Sequence, residues 1–370
     1  MEFLREYSDS SLAKKLAGDI ERLTKSIGHP VSFMEVCGTH TMAIFRYGLR
    51  QMLPREVRLI SGPGCPVCVT PASYIDLAIE ISKINGVTVA TFGDMVRVPA
   101  THSSLEKEKA RGRDVRVVYS PLGALEIARK NPEKRVVFLA VGFETTAPTV
   151  AAGLLKARQE NLNNLYILSA HRLIPPAIGA LLTAGAKIEG FILPGNVSVI
   201  IGSGPYNFIP EEFGLPAVIT GFEPVDILLA LRMLLSQISE SRQEVEIEYN
   251  RAVKPEGNER AVETLHRVFE VDEGEWRGLG RIPESALILK ADFRDFAAEE
   301  VFDISLITSG EPSGCRCGEV LRGVLEPEGC ALYGKSCTPQ HPVGPCMVSS
   351  EGTCAVHYKY GPSPSTIDRH

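Results

Sequence analysis

The apolar positions of residues 10–27 recur at helical spacing, with Leu12, Leu16, Ile20, Leu23 and Ile27 on one stripe. This predicts an amphipathic helix, with Asp9 or Ser10 capping its start. After His29-Pro30 the pattern changes. Short apolar runs alternate with Gly/Pro-rich turns and helical stretches, as expected of β–α units with parallel strands. Eight runs read as strands: 31–36, 57–60, 87–92 and 115–119, then 135–140, 165–169, 189–193 and 216–220. Matching members of the two sets lie 104, 108, 102 and 101 residues apart. The first strand of each set also leads into a similar loop, CGTHT in one half and GFETT in the other.

A plain β–α series without duplication gives comparable spacings, but the matching loops favour a repeat. The expected fold is α/β, with two similar domains at 31–128 and 129–236. Each would hold a parallel sheet of about four strands flanked by helices. Beyond residue 236 the texture changes. Residues 244–250 alternate like an exposed strand, 258–271 form an amphipathic helical pattern, and 285–291 read as another strand. The tail is dense in Gly, Pro and Cys. Residues 1–30 and 237–370 are expected to form a third, smaller α+β domain.

Composition narrows the function classes. The chain has 370 residues, a net charge of −6 and no Lys/Arg run, which argues against nucleic acid as a partner. The first residues, MEFLREYSDS, lack the apolar core of a secretory signal, and no stretch is long and apolar enough to span a membrane. A cytoplasmic location and a monomeric free form are expected. Structural disulfides are uncommon there, so nine cysteines point to metal or redox chemistry. Cys37, Cys65 and Cys68 come early, 246 residues pass without a cysteine, and the other six fall within 40 residues.

Four motifs carry the candidate chemistry. Cys37-Gly38-Thr39-His40 follows the first strand, where parallel sheets place ligand-binding groups. Cys37 offers a soft thiolate suited to a transition metal, with His40 within one turn; a structural Cys beside a satisfied His is the plainer alternative. Cys65-Pro66-Val67-Cys68 precedes a helix starting near Pro71, where the helix partial charge favours a reactive thiolate. A zinc half-site is its main rival. Glu144 in Gly142-Phe143-Glu144-Thr145-Thr146 is a candidate acid, base or anchor, and Thr145 and Thr146 read equally well as helix caps. The tail pattern C-x-C-x12-C-x6-C-x8-C-x7-C exceeds one zinc site. Four of Cys315, Cys317, Cys330, Cys337, Cys346 and Cys354 can hold an iron–sulfur cluster, and spacing alone does not say which.

Together, MEVCGTHT, SGPGCPVCVTP, FGDMVRVP, VGFETTAP, GFEPVDIL, CRCGEVLRG and PVGPCMVSSEGTCAVHYKYG resemble the HypD hydrogenase-maturation family across almost the whole chain. The resemblance implies two α/β domains, a third domain with a [4Fe–4S] cluster, and work with a small chaperone, HypC, and a cyanide donor, HypE. It implies that Cys37 binds the iron that receives cyanide and carbonyl, with His40 close by, and that Cys65 and Cys68 are a redox pair at the same cleft. It further implies that Cys315, Cys330, Cys337 and Cys354 ligate the cluster, leaving Cys317 and Cys346 as a second dithiol. PGNVS, with Asn196, stands where the family has PGHVS, so a proton role at that position is not expected here.

Two functions follow. One is a scaffold and redox protein that assembles the iron(cyanide)₂(carbonyl) group of nickel–iron hydrogenases. The other is a general thiol–disulfide reductase, since the tail also resembles the catalytic chain of ferredoxin–thioredoxin reductase. The Cys37–His40 pair separates them, because a simple reductase has no need of it.

Overall fold

The computed structural model describes residues 9–304 and 310–361. All eight expected strands of the α/β region are present: β1 Val31–Glu35, β2 Val57–Ser61, β3 Val87–Thr91, β4 Val115–Val117, β5 Arg135–Gly142, β6 Leu165–His171, β7 Gly190–Pro194 and β8 Ala217–Thr220. Three further strands follow: β9 Val245–Ile247, β10 Phe269–Trp276 and β11 Gly280–Leu289. The helical pattern expected over 258–271 ends at Val268, where the chain turns directly into β10.

The strands form two parallel sheets and one antiparallel hairpin. The first sheet has the order β2-β1-β7-β8-β9, the second β4-β3-β5-β6, and β10 pairs with β11. The repeat read from the spacings holds strand for strand. Exchanging β1 with β5, β2 with β6, β3 with β7 and β4 with β8 turns β2-β1-β7-β8 into β6-β5-β3-β4, which is the second sheet read backwards.

The expected boundary at 128/129, however, does not separate the sheets. Each half gives its first two strands to one sheet and its last two to the other. The chain crosses between sheets after β2 and returns after β6. Periodicity reports that a strand is buried on both faces, as for the fully buried β7, but not which strand lies beside it.

The third-domain expectation is also corrected. The helix Ser10–Ile27, capped by Asp9, packs against the helix Pro224–Ser239 on the first sheet. Its Leu16 and Ile20 share a core with Leu228 and Leu231. Strand β9 closes the edge of the same sheet. The β10–β11 hairpin sits on the second sheet, where Phe269, Leu287 and Leu289 join the core of Val136 and Phe138. What remains for the cysteine-rich unit is residues 310–361, with one short helix at Cys317–Leu321 and another at Thr353–Tyr360. Among the described residues no helix is long and apolar enough to cross a membrane.

Ile20 is fully buried, so truncating it leaves a cavity between helix and sheet. Ile20→Ala is expected to cost about 2–5 kcal/mol of stability, read by denaturant unfolding. The alkylation pattern of the tail cysteines should not change, since the helix packs away from them.

Candidate functional site

Strand order reverses between β1 and β7, and this crevice at the strand ends is where an open α/β sheet takes its ligands. Cys37 follows β1 and Asn196 follows β7, with Cys37 Sγ 3.9 Å from Asn196 Oδ1. Cys37 stands at the start of the helix Gly38–Arg46, and the amides of Thr39 and His40 face its sulfur. Burial outweighs that help. With nearby Glu351 adding repulsion, the free thiol is pushed up to about 12. A metal cation would reverse this balance by stabilising the thiolate. Beneath it lies Glu35, which sequence reasoning passed over as part of a strand. Its carboxyl accepts from the Thr41 hydroxyl at 2.5 Å and from the Cys37 amide at 3.4 Å, and burial pushes it up to about 8.

The Cys65–Cys68 segment is laid directly on Cys37. The Gly38 amide donates to Gly64 O at 3.1 Å. A Cβ on Gly64 would overlap the Cys37 backbone, so only glycine permits this approach. Pro66 opens the short turn Pro66–Val69, and Cys65 and Cys68 are joined as a disulfide with Cα atoms 5.3 Å apart. That turn packs against the turn Pro345–Met347, which carries Cys346, and against β5.

His40 is wholly buried, and its ring lies 4.7 Å from that of Phe222. Its Nε2 meets the carbonyl of Gly221 at 2.9 Å. A carbonyl can only accept, so the proton sits on Nε2 and Nδ1 is a bare lone pair. Nδ1 has no hydrogen-bond partner among the described residues. Burial lowers the imidazole to about 4, so it is neutral at physiological pH.

Glu144 comes from the counterpart loop after β5. Its Oε1 accepts from the Ile174 amide at 2.8 Å, while its buried Oε2 has no partner among the described residues. Burial raises its carboxyl to about 7. Phe143 joins Val36, Cys65, Cys68 and Val197 in one core cluster, so the GFETT loop shares a core with the end of β1 and the Cys65–Cys68 turn. Thr146 occupies the N-cap position of the helix Ala147–Gln159, but its hydroxyl donates to Phe143 O and accepts nothing from the helix. Thr145 beside it is half-buried.

The tail folds over the same region. The Thr39 hydroxyl donates to Glu351 at 2.8 Å, and Gly38 lies so close to Glu351 that a Cβ would collide with its backbone. Cys315, Cys317, Cys330, Cys337 and Cys354 line one small cavity with Val320, Leu332, Tyr333 and Met347. Cys346 lies behind it, its thiol hydrogen-bonded with Cys317 and Cys354. The Val343 amide donates to Cys337 Sγ at 3.3 Å. His357 fastens this unit, holding Glu328 at 2.8 Å and setting its ring at a tilt against that of Phe45, 4.3 Å between centroids. Arg277, also missed from sequence, is a buried cation between the two cysteine regions. It donates to Thr70 O and to Glu311 at 2.8 and 2.7 Å, and its charge reaches Cys315. It lies in a short turn between β10 and β11 with no motif around it.

The class so defined is a two-sheet parallel α/β protein that brings cysteines from distant parts of the chain close to one another. More particularly, the chain belongs to the HypD family: the family described as "HypD: Hydrogenase formation hypA family" matches residues 11–361. It is similar to hydrogenase maturation factor HypD2 of Bradyrhizobium diazoefficiens, at 46% identity over 98% of this chain and 97% of that one. It is similar to HypD of Cupriavidus necator at 45% identity, over 98% and 97% of the two chains. It is 47% identical to the hydrogenase expression/formation protein HupD of Azotobacter chroococcum, again over 98% and 97%.

Glu144 gives a pH-dependent prediction. Its folded carboxyl titrates near 7 instead of 4.5, so between those values the folded state binds more protons than the unfolded state. Stability contributed by this group is therefore complete below about pH 4.5 and falls as pH rises to 7, by at most about 3 kcal/mol. Glu144→Gln keeps an acceptor for Ile174 and removes the ionisation. Its stability curve should lack that slope, so that it gains on the parent at pH 8 but not at pH 4.5. Denaturant unfolding at the two pH values measures this.

Proposed function

We propose that this protein is a hydrogenase maturation factor that acts as scaffold and redox partner in assembling an iron(cyanide)₂(carbonyl) group, with HypC-like and HypE-like partners. The observation that carries the reading is the convergence of three thiol groups. The Cys65–Cys68 loop rests on the backbone of Cys37, and the turn carrying Cys346 packs on the Cys65–Cys68 turn. The names of the relatives support the same class of work.

Cys37 would bind the iron being decorated, as cargo. A thiolate is a strong donor and favours back-donation from iron into cyanide and carbonyl. His40, locked in one tautomer by Gly221, keeps a bare lone pair in the wall of the site and does not exchange protons near neutrality. Asn196 offers an amide at the mouth.

The tail cavity fits a [4Fe–4S] cluster: thiols from well-separated segments, apolar walls and an amide donating to one sulfur. Cys315, Cys330, Cys337 and Cys354 would hold it, and when bound it supplies one-electron transfer. Cys317 and Cys346, already in hydrogen-bond contact, would serve as a dithiol. Oxidising them to a disulfide releases two electrons and two protons, the number taken up when the Cys65–Cys68 bond opens. The reading as a general thiol–disulfide reductase leaves the buried Cys37 and His40 without a use.

The decisive experiment is anaerobic co-purification with the chaperone and the cyanide donor, followed by infrared spectroscopy. Cyanide and carbonyl stretching bands are expected from the parent, and Cys37→Ser should lose them while keeping the fold and the brown colour. Full-strength bands in Cys37→Ser would refute the iron site. For the cluster, Ser at Cys315, Cys330, Cys337 or Cys354 should reduce the visible absorbance to background. Cys317→Ser should retain it. Bleaching of Cys317→Ser with colour kept in Cys315→Ser would invert the roles within C-x-C.

A further inference from the structure

The turn between β10 and β11 joins the two cysteine regions through its backbone. The Arg277 amide donates to Val69 O at 2.8 Å, one residue after Cys68. Gly278 has a φ of +79° and lies against Gly318, one residue after Cys317. A Cβ on either glycine would overlap the backbone of the other. Two consecutive residues therefore touch the neighbour of Cys68 and the neighbour of Cys317. Trp276, just before them, shares a core cluster with Cys65, Cys68, Cys317 and Cys346.

Into this seam the chain puts a positive charge. The Arg277 side chain is only 1% exposed. Its Nε donates to Thr70 O at 2.8 Å and its Nη1 to Glu311 at 2.7 Å, while Nη2 is buried with no hydrogen-bond partner among the described residues. Stability does not explain the choice. The guanidinium gives up its hydration, and its carboxylate partner is half-exposed. An apolar side chain of similar volume commonly serves as well in such a place. What the cation does have is the tail within reach of its field, since its charge acts on Cys315. Arg316, between Cys315 and Cys317, differs: it is exposed and paired with Glu319, where solvent screens it.

We propose that Arg277 sets the redox poise of the cysteine-rich unit: its buried charge raises the reduction potential of a [4Fe–4S] cluster held there. One added electron makes the cluster and its thiolates more negative by one charge. A fixed cation in a water-poor seam lowers the energy of that reduced state, and the low dielectric enlarges the effect. Through Val69 O and Thr70 O the same residue holds the turn after Cys68. Arg277 thus favours the electron-rich state of the tail while keeping it next to the Cys65–Cys68 turn.

The proposal rests on the tail cysteines holding a cluster, and its test separates the two ideas. The full chain is reconstituted anaerobically with iron and sulfide as parent, Arg277→Gln, Glu311→Gln and Arg316→Gln. Each is titrated with dithionite in the presence of redox mediators, and the one-electron reduction is followed by the paramagnetic resonance signal of the reduced cluster. Arg277→Gln is expected to lower the midpoint potential. Glu311→Gln removes the opposing charge and is expected to raise it. Both variants break the same ion pair, so a merely structural role would move the two midpoints the same way. Arg316→Gln is expected to move the midpoint less than Arg277→Gln does. A midpoint in Arg277→Gln at or above the parent's, or one in Glu311→Gln at or below it, overturns the role of Arg277 and leaves the cluster standing. Should Arg277→Gln fail to take up the cluster, Glu311→Gln decides alone. A reconstituted parent with neither visible absorbance nor resonance signal overturns the cluster, and the proposal with it.

Discussion

The two passages of the chain between the sheets are the constraint on which the site depends. Parallel strands cannot be joined by a tight turn, so each crossing must be a long connection over the strand ends. Both crossings here touch the candidate site. The first, after β2, contains the Cys65–Cys68 turn. The second begins with the helix Ile174–Thr183, whose first amide is held by Glu144. Each sheet thus sends part of its reactive equipment to the cleft on a segment that is anchored at both ends. The geometry is set by backbone, through Gly64 on Cys37 and Gly38 against Glu351, and backbone contacts do not change rotamer.

Desolvation is the common electrostatic theme. Cys37, Glu35 and Glu144 are all raised, and His40 is lowered, with burial the first cause in each case. The neutral form is favoured at all four of these groups. Such a cleft has little to offer a strongly hydrated ion. It suits a soft metal carrying its own ligands, which can displace a proton from sulfur and hand it to a neighbouring group. Arg277 is the exception, a buried cation, and it lies between the cysteine regions instead of within the cleft.

Much of this was legible in the sequence, and the failures have physical causes. Strand positions, the helix at 10–27 and the repeat all follow from periodicity. The sheet memberships do not, because strands such as β1 are buried on both faces, as adjacent Phe33 and Met34 show, whichever strand lies beside them. The cysteines and the CGTH and GFETT loops announced themselves by type and spacing. Glu35 and Arg277 did not. Each is a polar residue whose weight comes from burial next to a distant segment, and a single sequence carries no sign of that. The threonine pair shows the reverse error, since Thr146 stands where a cap belongs but bonds backwards to Phe143.

The interleaved sheets also govern the order in which the protein can come into being. On a ribosome, β1 and β2 emerge early, but β7, the neighbour β1 requires, is encoded more than 150 residues after it. At about 5–20 residues per second that is a wait on the order of ten seconds or more. Throughout it Cys37, Cys65 and Cys68 are unshielded, in a segment that has neither sheet nor tail to cover it. Cys37, Cys65 and Cys68, all buried in the finished protein, are thus the cysteines its nascent chain exposes longest.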